Sequence, residues 1–313
     1  MYDYRPKHGA TEWAPASKPH VSGRHRSRHG ARSRKKTFLI ILLLALFAII
    51  AIYLFAAPRA VQIDHQNLIS DNLPADIGHL RIVYVSDIHY GHFFSKSRLD
   101  DLVNKINDLK PDIILLGGDY AVDNLSAISF FNILPSLHAR YQILGVAGDA
   151  DRGLESYELT QLRDAMRNAG VIPLVNQVEQ VRIGSSSIYV AGTDDPVTGK
   201  PDLKSVASQT SAEDYVILLS HSPSVIASAH AAKDRNGKLI WFDLGLFGHT
   251  HGGQISFMPQ ACGLIDDIDK RHVSGWYKEN RIDMLTSNGV GTSGLPFRIF
   301  CPPQIHVIDV SSK

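Results

Sequence analysis

Seven residues able to bind metal ions recur at or just beyond the ends of apolar runs. Asp87 and His89 follow Leu80–Ser86, Asp119 follows Ile113–Leu116, and Asp149 follows Tyr141–Ala147; His221 then follows Val216–Ser220, and His249 with His251 follows Leu239–Phe247. Three carboxylates and four imidazoles form a donor set suited to a pair of hard or borderline divalent cations. Taken singly each has a plainer reading: Asp87 as a strand-end cap, Asp119 as a turn residue, His221 as a core histidine, and Gly248-His-Thr-His251 as a turn. The ordered set is what argues for chemistry. Within it, Asp87 and His89 stand two apart, as do His249 and His251, and in extended chain that spacing points both members of a pair the same way. Glycines directly before Asp119, Asp149 and His249 allow close backbone approach or a positive φ.

The apolar runs show how such distant residues could meet. Leu80–Ser86 is rich in β-branched and aromatic residues and reads as a strand. Leu99, Leu102, Val103, Ile106 and Leu109 recur at helical spacing until Pro111. A second strand, Ile113–Leu116, leads to a helix over 125–139, a third strand over Tyr141–Ala147, and a helix with Leu159, Leu162, Met166 and Ala169 on one face. This rhythm, repeating about every 30 residues, predicts right-handed βαβ units and a parallel sheet whose carboxyl edge gathers the ligands. Downstream, strands at 188–191, 216–220, 239–247 and 305–310 with few helices predict a second, partly antiparallel sheet packed on the first.

Asp-x-His, Gly-Asp, a Gly-Asp turn at 148–149, a lone His and then Gly-His-x-His, in that order, resemble the calcineurin-like metallophosphoesterases. "GHTHGGQ" at 248–254 and "GTSGLPFRIFCPP" at 291–303 resemble their membrane-linked bacterial branch, and the resemblance covers about residues 60–313. It implies an α/β fold, a four-layer α/β/β/α sandwich. It further implies two divalent metal ions, Mn, Mg, Fe or Zn, one held by Asp87, His89 and His251, the other by Asp149, His221 and His249, with Asp119 bridging. The reaction implied is hydrolysis of a phosphoester or diphosphate by a metal-activated water.

One departure matters. Where that family shows Gly-Asn-His followed by an acid, this chain reads Gly148-Asp149-Ala150-Asp151. Asp149 adds a negative charge, which tightens metal binding and weakens the metals as Lewis acids. Ala150 cannot supply the leaving-group assistance the resemblance assigns to a histidine there, an effect typically worth about 10²- to 10⁴-fold. His92 is a candidate catalytic substitute, against the ordinary reading of a solvated loop histidine. Asp151 either orients the site from behind or caps the following helix. Tyr90, Phe93 and Phe94 either contact a substrate's acyl chain or base, or pack beneath their own loop. Thr193-Asp-Asp-Pro196 reads first as a turn or cap, and the Gly289–Gly294 loop offers phosphate its N–H groups or is a plain turn. A catalytically impaired, metal-binding descendant acting as a membrane-tethered binding module is the alternative to an enzyme.

Phe38–Ala57 contains no charge and, at 1.5 Å per residue, matches the roughly 30 Å hydrocarbon core of a bilayer. A cleaved signal peptide is the rival, but its apolar region is usually about 7 to 15 residues. Residues 1–36 carry ten basic against two acidic side chains, so the +1 of the whole chain leaves the remainder with a deficit of seven. The chain accordingly divides into a basic disordered cytoplasmic tail (1–36), a transmembrane helix (37–57), a juxtamembrane segment (58–78) and the catalytic domain (79–313). Seven basic residues between Arg24 and Lys36, against Arg59 alone between Pro58 and Gly78, place the N-terminus in the cytoplasm and the domain outside the bacterial cell membrane. The partners expected are a phosphorylated small-molecule or lipid substrate and membrane lipid; the tail reads as an orientation signal rather than as a nucleic-acid arm. Cys262 and Cys301 fit no metal knuckle and read as small buried hydrophobes rather than as a pair.

Overall fold

The computed structural model describes residues 28–255 and 268–313, with the backbone alone for 28–34 and Phe55. Helix α1 spans Arg28–Ala56, nine residues earlier than the expected start of the span; the rest of the basic tail, residues 1–27, lies outside the described residues. The stretch from Lys35 to Arg59, which runs three residues past the end of α1 and whose most apolar part has a mean hydropathy of 3.2, is long and apolar enough to cross a membrane.

Twelve strands and six further helices follow among the described residues: β1 (Gln62–Ser70), β2 (His79–Val85), α2 (Lys96–Asp108), β3 (Ile113–Leu116), α3 (Asn124–Ile133), β4 (Gln142–Gly145), α4 (Asp149–Arg152), α5 (Ser156–Asn168), β5 (Ile172–Pro173), β6 (Gln177–Ile183), β7 (Ser186–Gly192), α6 (Leu203–Ala207), β8 (Val216–Leu219), α7 (Ile226–Ala231), β9 (Leu244–Phe247), β10 (Gly275–Glu279), β11 (Ile282–Thr286) and β12 (Gln304–Ser312). Helix α3 stops six residues short of the expected 139, because Leu134 precedes Pro135 and is extended, as a residue before proline prefers. Its start is fixed by Asp123, whose carboxylate accepts from Ser126 N at 2.8 Å.

The strands form two six-stranded sheets, ordered β1-β12-β2-β3-β4-β5 and β10-β11-β9-β8-β7-β6. β2 to β5 are parallel, as are β7, β8, β9 and β11. Alternation along each strand builds the layers. Ile82, Tyr84, Ile113 and Leu115 of the first sheet face Ile217, Leu219, Leu244 and Leu246 of the second, forming a core between the sheets. Val83, Val85, Ile114 and Leu116 turn the other way, onto Leu99, Ile106, Phe130 and Leu162 of α2, α3 and α5. Val216, Leu218 and Phe247 pack on Leu203, Val206 and Ile226 of α6 and α7. Helix, sheet, sheet, helix is the four-layer α/β/β/α sandwich.

Two expectations need correction. The strand at 305–310 does not join the second sheet: β12 enters the first, antiparallel to β2, with Ile308 opposite Ile82. Residues 62–70, expected to lead into the domain from outside, are its edge strand β1, parallel to β12 with Ile63 opposite Ile305. Its burial alternates between exposed and half-buried, the mark of an edge covered on one face, and its polar residues concealed it.

Candidate metal centre

Every loop that carries a candidate ligand leaves the carboxyl end of a parallel strand. Asp87, Asp119 and Asp149 follow β2, β3 and β4; His221 and His249 follow β8 and β9. The interstrand ladder runs on beyond the strand ends, with Asp87 N donating to Gly118 O at 2.9 Å and Gly248 N to His221 O at 2.7 Å, so the loops are fixed to one another as well as to the sheets. The two sheets face each other, and their carboxyl edges thus deliver all seven side chains to one place.

The local backbone is not the extended chain that the two-residue spacing suggested. Asp87, His89, Asp119, His249 and His251 all have positive φ, between 46° and 69°. Such conformations cost about 1–3 kcal/mol each and persist where the surroundings impose them, as at functional sites. Gly118 is also left-handed, at φ +90°, whereas Gly148 and Gly248 are not. Gly148 is required for space: a Cβ there would collide with the Asp119 carboxylate.

Three groups of ligand atoms result among the described residues, Asp87/His89/His251, Asp149/His221/His249 and, crossing between them, Asp87/Asp119/His221, each with its atoms within 4.8 Å of one another. His89 Nε2 lies 3.0 Å from His251 Nε2; His221 Nε2 and His249 Nδ1 lie 3.1 and 2.8 Å from Asp149 Oδ1. Asp119 stands between the first two: its Oδ2 is 3.3 Å from His89 Nε2 and its Oδ1 is 3.5 Å from His221 Nε2. The set fits divalent cations. Asp87 is fully buried, and its Oδ2 has no hydrogen-bond partner, a carboxylate oxygen that is costly to bury unless a cation meets it.

Charges are arranged accordingly. Burial opposes ionisation of Asp119, but His221 and His89 outweigh it and hold the carboxyl well below the usual range. Burial likewise works against an imidazolium at His221, yet the Asp119 and Asp149 carboxylates raise it well above the ordinary histidine value. His251 is held well below that value by burial, His89 and Arg298. Burial and the Asp119 charge push Asp151 up to about 8.

Around the ligands lies a set of supporting groups. His221 Nδ1–H donates to Gly117 O at 2.7 Å, which leaves Nε2 free to coordinate. Asp151 Oδ1 accepts from Tyr120 N (2.8 Å) and Ala121 N (3.3 Å), while its Oδ2 accepts from Gly148 N (3.1 Å). It is fully buried within α4 and ties the Asp119 and Asp149 loops together; it does not cap the following helix, α5, whose entry is held by Glu158, accepting from Leu154 N and Glu155 N at 2.9 Å. Ala150 N donates to Asp119 Oδ1 at 3.0 Å. Arg152 forms a paired contact with Asp194 at 2.7 and 3.0 Å, joining the Asp149 turn to the loop after β7, while Asp195 closes that loop's own turn through Thr198.

Arg298 was missed by residue-level reading. Wholly buried, it donates to Gly291 O at 2.8 and 2.6 Å, to Cys301 O at 3.3 Å and to His251 Nδ1 at 3.1 Å. An arginine cannot accept, so in this arrangement neutral His251 accepts at Nδ1 and carries its proton on Nε2, facing His89. The signal was present as a lone charge inside the apolar run Pro296–Cys301. Cys301 is buried, with Sγ 2.9 Å from His251 O; Cys262 lies outside the described residues.

The ligands open onto a cavity of about 260 Å³ lined by His89, Asp119, Asp149 and His249, with Ala150, His92, Phe93 and Thr292 among its walls. His92 is exposed and sits on this wall; none of the ligand contacts described above reaches it. Tyr90 packs on Phe130 at 5.9 Å and Phe94 is buried, whereas Phe93 stays about half exposed at the mouth. The Gly289–Gly294 loop is tied to the site through Gly291 N, which donates to Asp87 O at 2.7 Å, and it contributes Ser293 and Gly294 to the cavity wall.

A metal-binding edge between two stacked mixed sheets is the arrangement of a metallophosphatase-type hydrolase. The chain belongs to the calcineurin-like phosphoesterase family, whose model matches residues 80–253; it is a metal-dependent phosphoester hydrolase. It is 27% identical over 263 residues to the protein described as uncharacterized metallophosphoesterase YkuE of Bacillus subtilis, an alignment covering 82% of this chain and 88% of that one. It is 28% identical over 234 residues to the phosphodiesterase YaeI of Escherichia coli, covering 74% and 82%. A transmembrane protein with metallophosphoesterase domain from Danio rerio is 26% identical over 279 residues, covering 85% and 61%.

Proposed function

We propose that Asp87, His89 and His251 hold one divalent cation and Asp149, His221 and His249 a second, with Asp119 shared, and that this centre hydrolyses a phosphodiester or diphosphate at the outer face of a bacterial membrane. The observation that carries the reading is the position of Asp119, whose two carboxylate oxygens face His89 on one side and His221 on the other. When bound, a cation pair supplies Lewis acidity, an ionised water and a clamp on the phosphoryl oxygens.

The chain's own residues set the rest. Gly117 fixes the His221 tautomer; Asp151 and Ala150 N hold the Asp119 and Asp149 loops at a constant separation. Ala150 presents a methyl group where a proton donor would serve the leaving group, so substrates whose leaving group is already acidic, such as a phosphate, suit this site. His92, on the same wall, is the side chain placed to give a proton to others. The name of YaeI supports diester chemistry, and that of the fish relative supports membrane attachment. The excess of basic residues before α1 supports an extracytoplasmic domain.

The test is turnover of bis(p-nitrophenyl) phosphate and p-nitrophenyl phosphate by the full chain, stripped of metal and reloaded with Mn, Mg, Fe or Zn. Diester hydrolysis restored by metal and lost in Asp119→Ala is the expected result. Metal uptake without turnover of either ester would instead assign the chain to the binding-module alternative.

A further inference from the structure

Beside the metal centre lies a second cavity, of about 440 Å³, lined by Pro58, Arg59, His92, Phe93, Ser95, Ser97, Arg98, Thr292 and Pro296. His92, Phe93 and Thr292 also line the metal cavity, so the two spaces share a wall. Two guanidinium groups contribute to the lining, which includes no carboxylate among the described residues. Arg98 hands its Nη atoms to the carbonyls of Phe93 and Pro58, at 2.5 and 2.6 Å, and stacks on Phe94 at 4.2 Å. Those contacts fix its position without neutralising its charge; burial, with Arg59 and Arg298 nearby, pushes its pKa down to about 10. The amino end of α2 enters the same space through Ser95 and Ser97, adding the positive end of a thirteen-residue helix. Two guanidinium groups and a helix amino terminus converging on one cavity suit an anion there.

Its place in the chain says where the anion comes from. Pro58 and Arg59 follow directly on the apolar span, so by covalent connection they stand at the level of lipid headgroups. Phe93, 52% exposed, adds an apolar surface at the junction of the two cavities. A soluble anion has no use for either feature.

We propose that this cavity binds the headgroup phosphate of an anionic membrane lipid. Resting on the hydrolase reading above, it would make the substrate a phosphorylated lipid, delivered to the metals past His92 and Phe93 from the bilayer in which the chain is itself anchored.

The test is calorimetric binding to the metal-loaded full chain in phosphatidylcholine nanodiscs, with three probes: dihexanoylphosphatidylglycerol, dihexanoylphosphatidylcholine and inorganic phosphate. The anionic lipid should bind more tightly than the other two, and its affinity should fall about tenfold or more in Arg59→Gln and in Arg98→Gln, at unaltered bound metal per chain. Because Arg98 also supports two carbonyls, Arg98→Lys and the exposed Arg59→Gln carry the result if Arg98→Gln misfolds. Equal affinity in wild type and variants overturns the proposal, as does inorganic phosphate binding as tightly as the lipid with the same dependence on Arg59. Loss of diester turnover with lipid binding intact would count against the hydrolase reading alone; the converse would count against this one alone.

Discussion

At the scale of single residues, the proposed centre separates side chains placed to hold metal from those that merely stand near it. Asp119 faces His89 and His221 through its two oxygens, whereas His92 is exposed on the cavity wall. Asp119→Ala should therefore strip most bound metal while His92→Ala leaves it in place; equal metal content in the two, measured by elemental analysis, would show the ligands to be misassigned. Ala150 is open to a second measurement. If its methyl group marks a site without a proton donor, wild type should favour activated aryl diesters over alkyl diesters, and Ala150→His should narrow that gap by about tenfold, some 1.4 kcal/mol in the transition state. Unchanged alkyl-ester rates in the variant would mean that no acid is missing at this position.

Elements set the tolerances within which those residues act. The turn into α4 brings Gly148 so close to Asp119 that a methyl group has no room, its Cβ falling 2.5 Å from Asp119 N. Gly148→Ala, although its φ of −96° suits any residue, should cost about 1–3 kcal/mol by overpacking and displace the shared carboxylate. A melting temperature and metal content equal to wild type would contradict this. Farther from the site, Asp243 ties β8 to the first strand region, accepting from Val216 N and from Asn72 Nδ2, each at 2.9 Å. Burial pushes its carboxyl up to about 6, against two opposing hydrogen bonds. A carboxyl raised in the folded state favours the protonated form, so its contribution to stability is greatest below about 4 and is lost as pH rises through about 6. Asp243→Asn should thus gain on wild type by roughly 2 kcal/mol between pH 4 and 7. Parallel stability curves over that range, from chemical denaturation, would refute the burial argument.

At the scale of the whole molecule, a helix long and apolar enough to cross a membrane precedes the hydrolase fold. An uncharged run, Phe38–Ala57, precedes two sheets whose carboxyl edges gather the candidate ligands, and basic residues concentrate before that run. A reporter fused after Lys313 should accordingly be active only outside the cytoplasm; a cytoplasmic signal would remove the outer-face substrate from consideration. β1 starts at Gln62, three residues after Arg59, so little chain lies between the apolar stretch and the first sheet.

Much of this was written in the sequence, because it follows from local rules. Apolar runs of four residues bounded by Gly-Asp or Gly-His are buried strands ending at the edge that carries the candidate ligands; the helical spacing of Leu99 to Ile106 gives α2; and the uncharged run from Phe38 gives most of α1. All seven candidate ligands were legible for the same reason, each lying just past a strand. What depended on contacts between distant segments was not. No local pattern says that β12 pairs with β2 rather than with the second sheet, or that the polar stretch 62–70 completes the first sheet's edge, since pairing is decided by which edge remains open once the others are filled. The left-handed backbone at five ligand positions, the role of Arg298 beneath His251 and the meeting of Arg59 with Arg98 are likewise tertiary. Strain, a buried charge and a cationic cavity are each unfavourable locally, and only the surrounding packed structure can impose them.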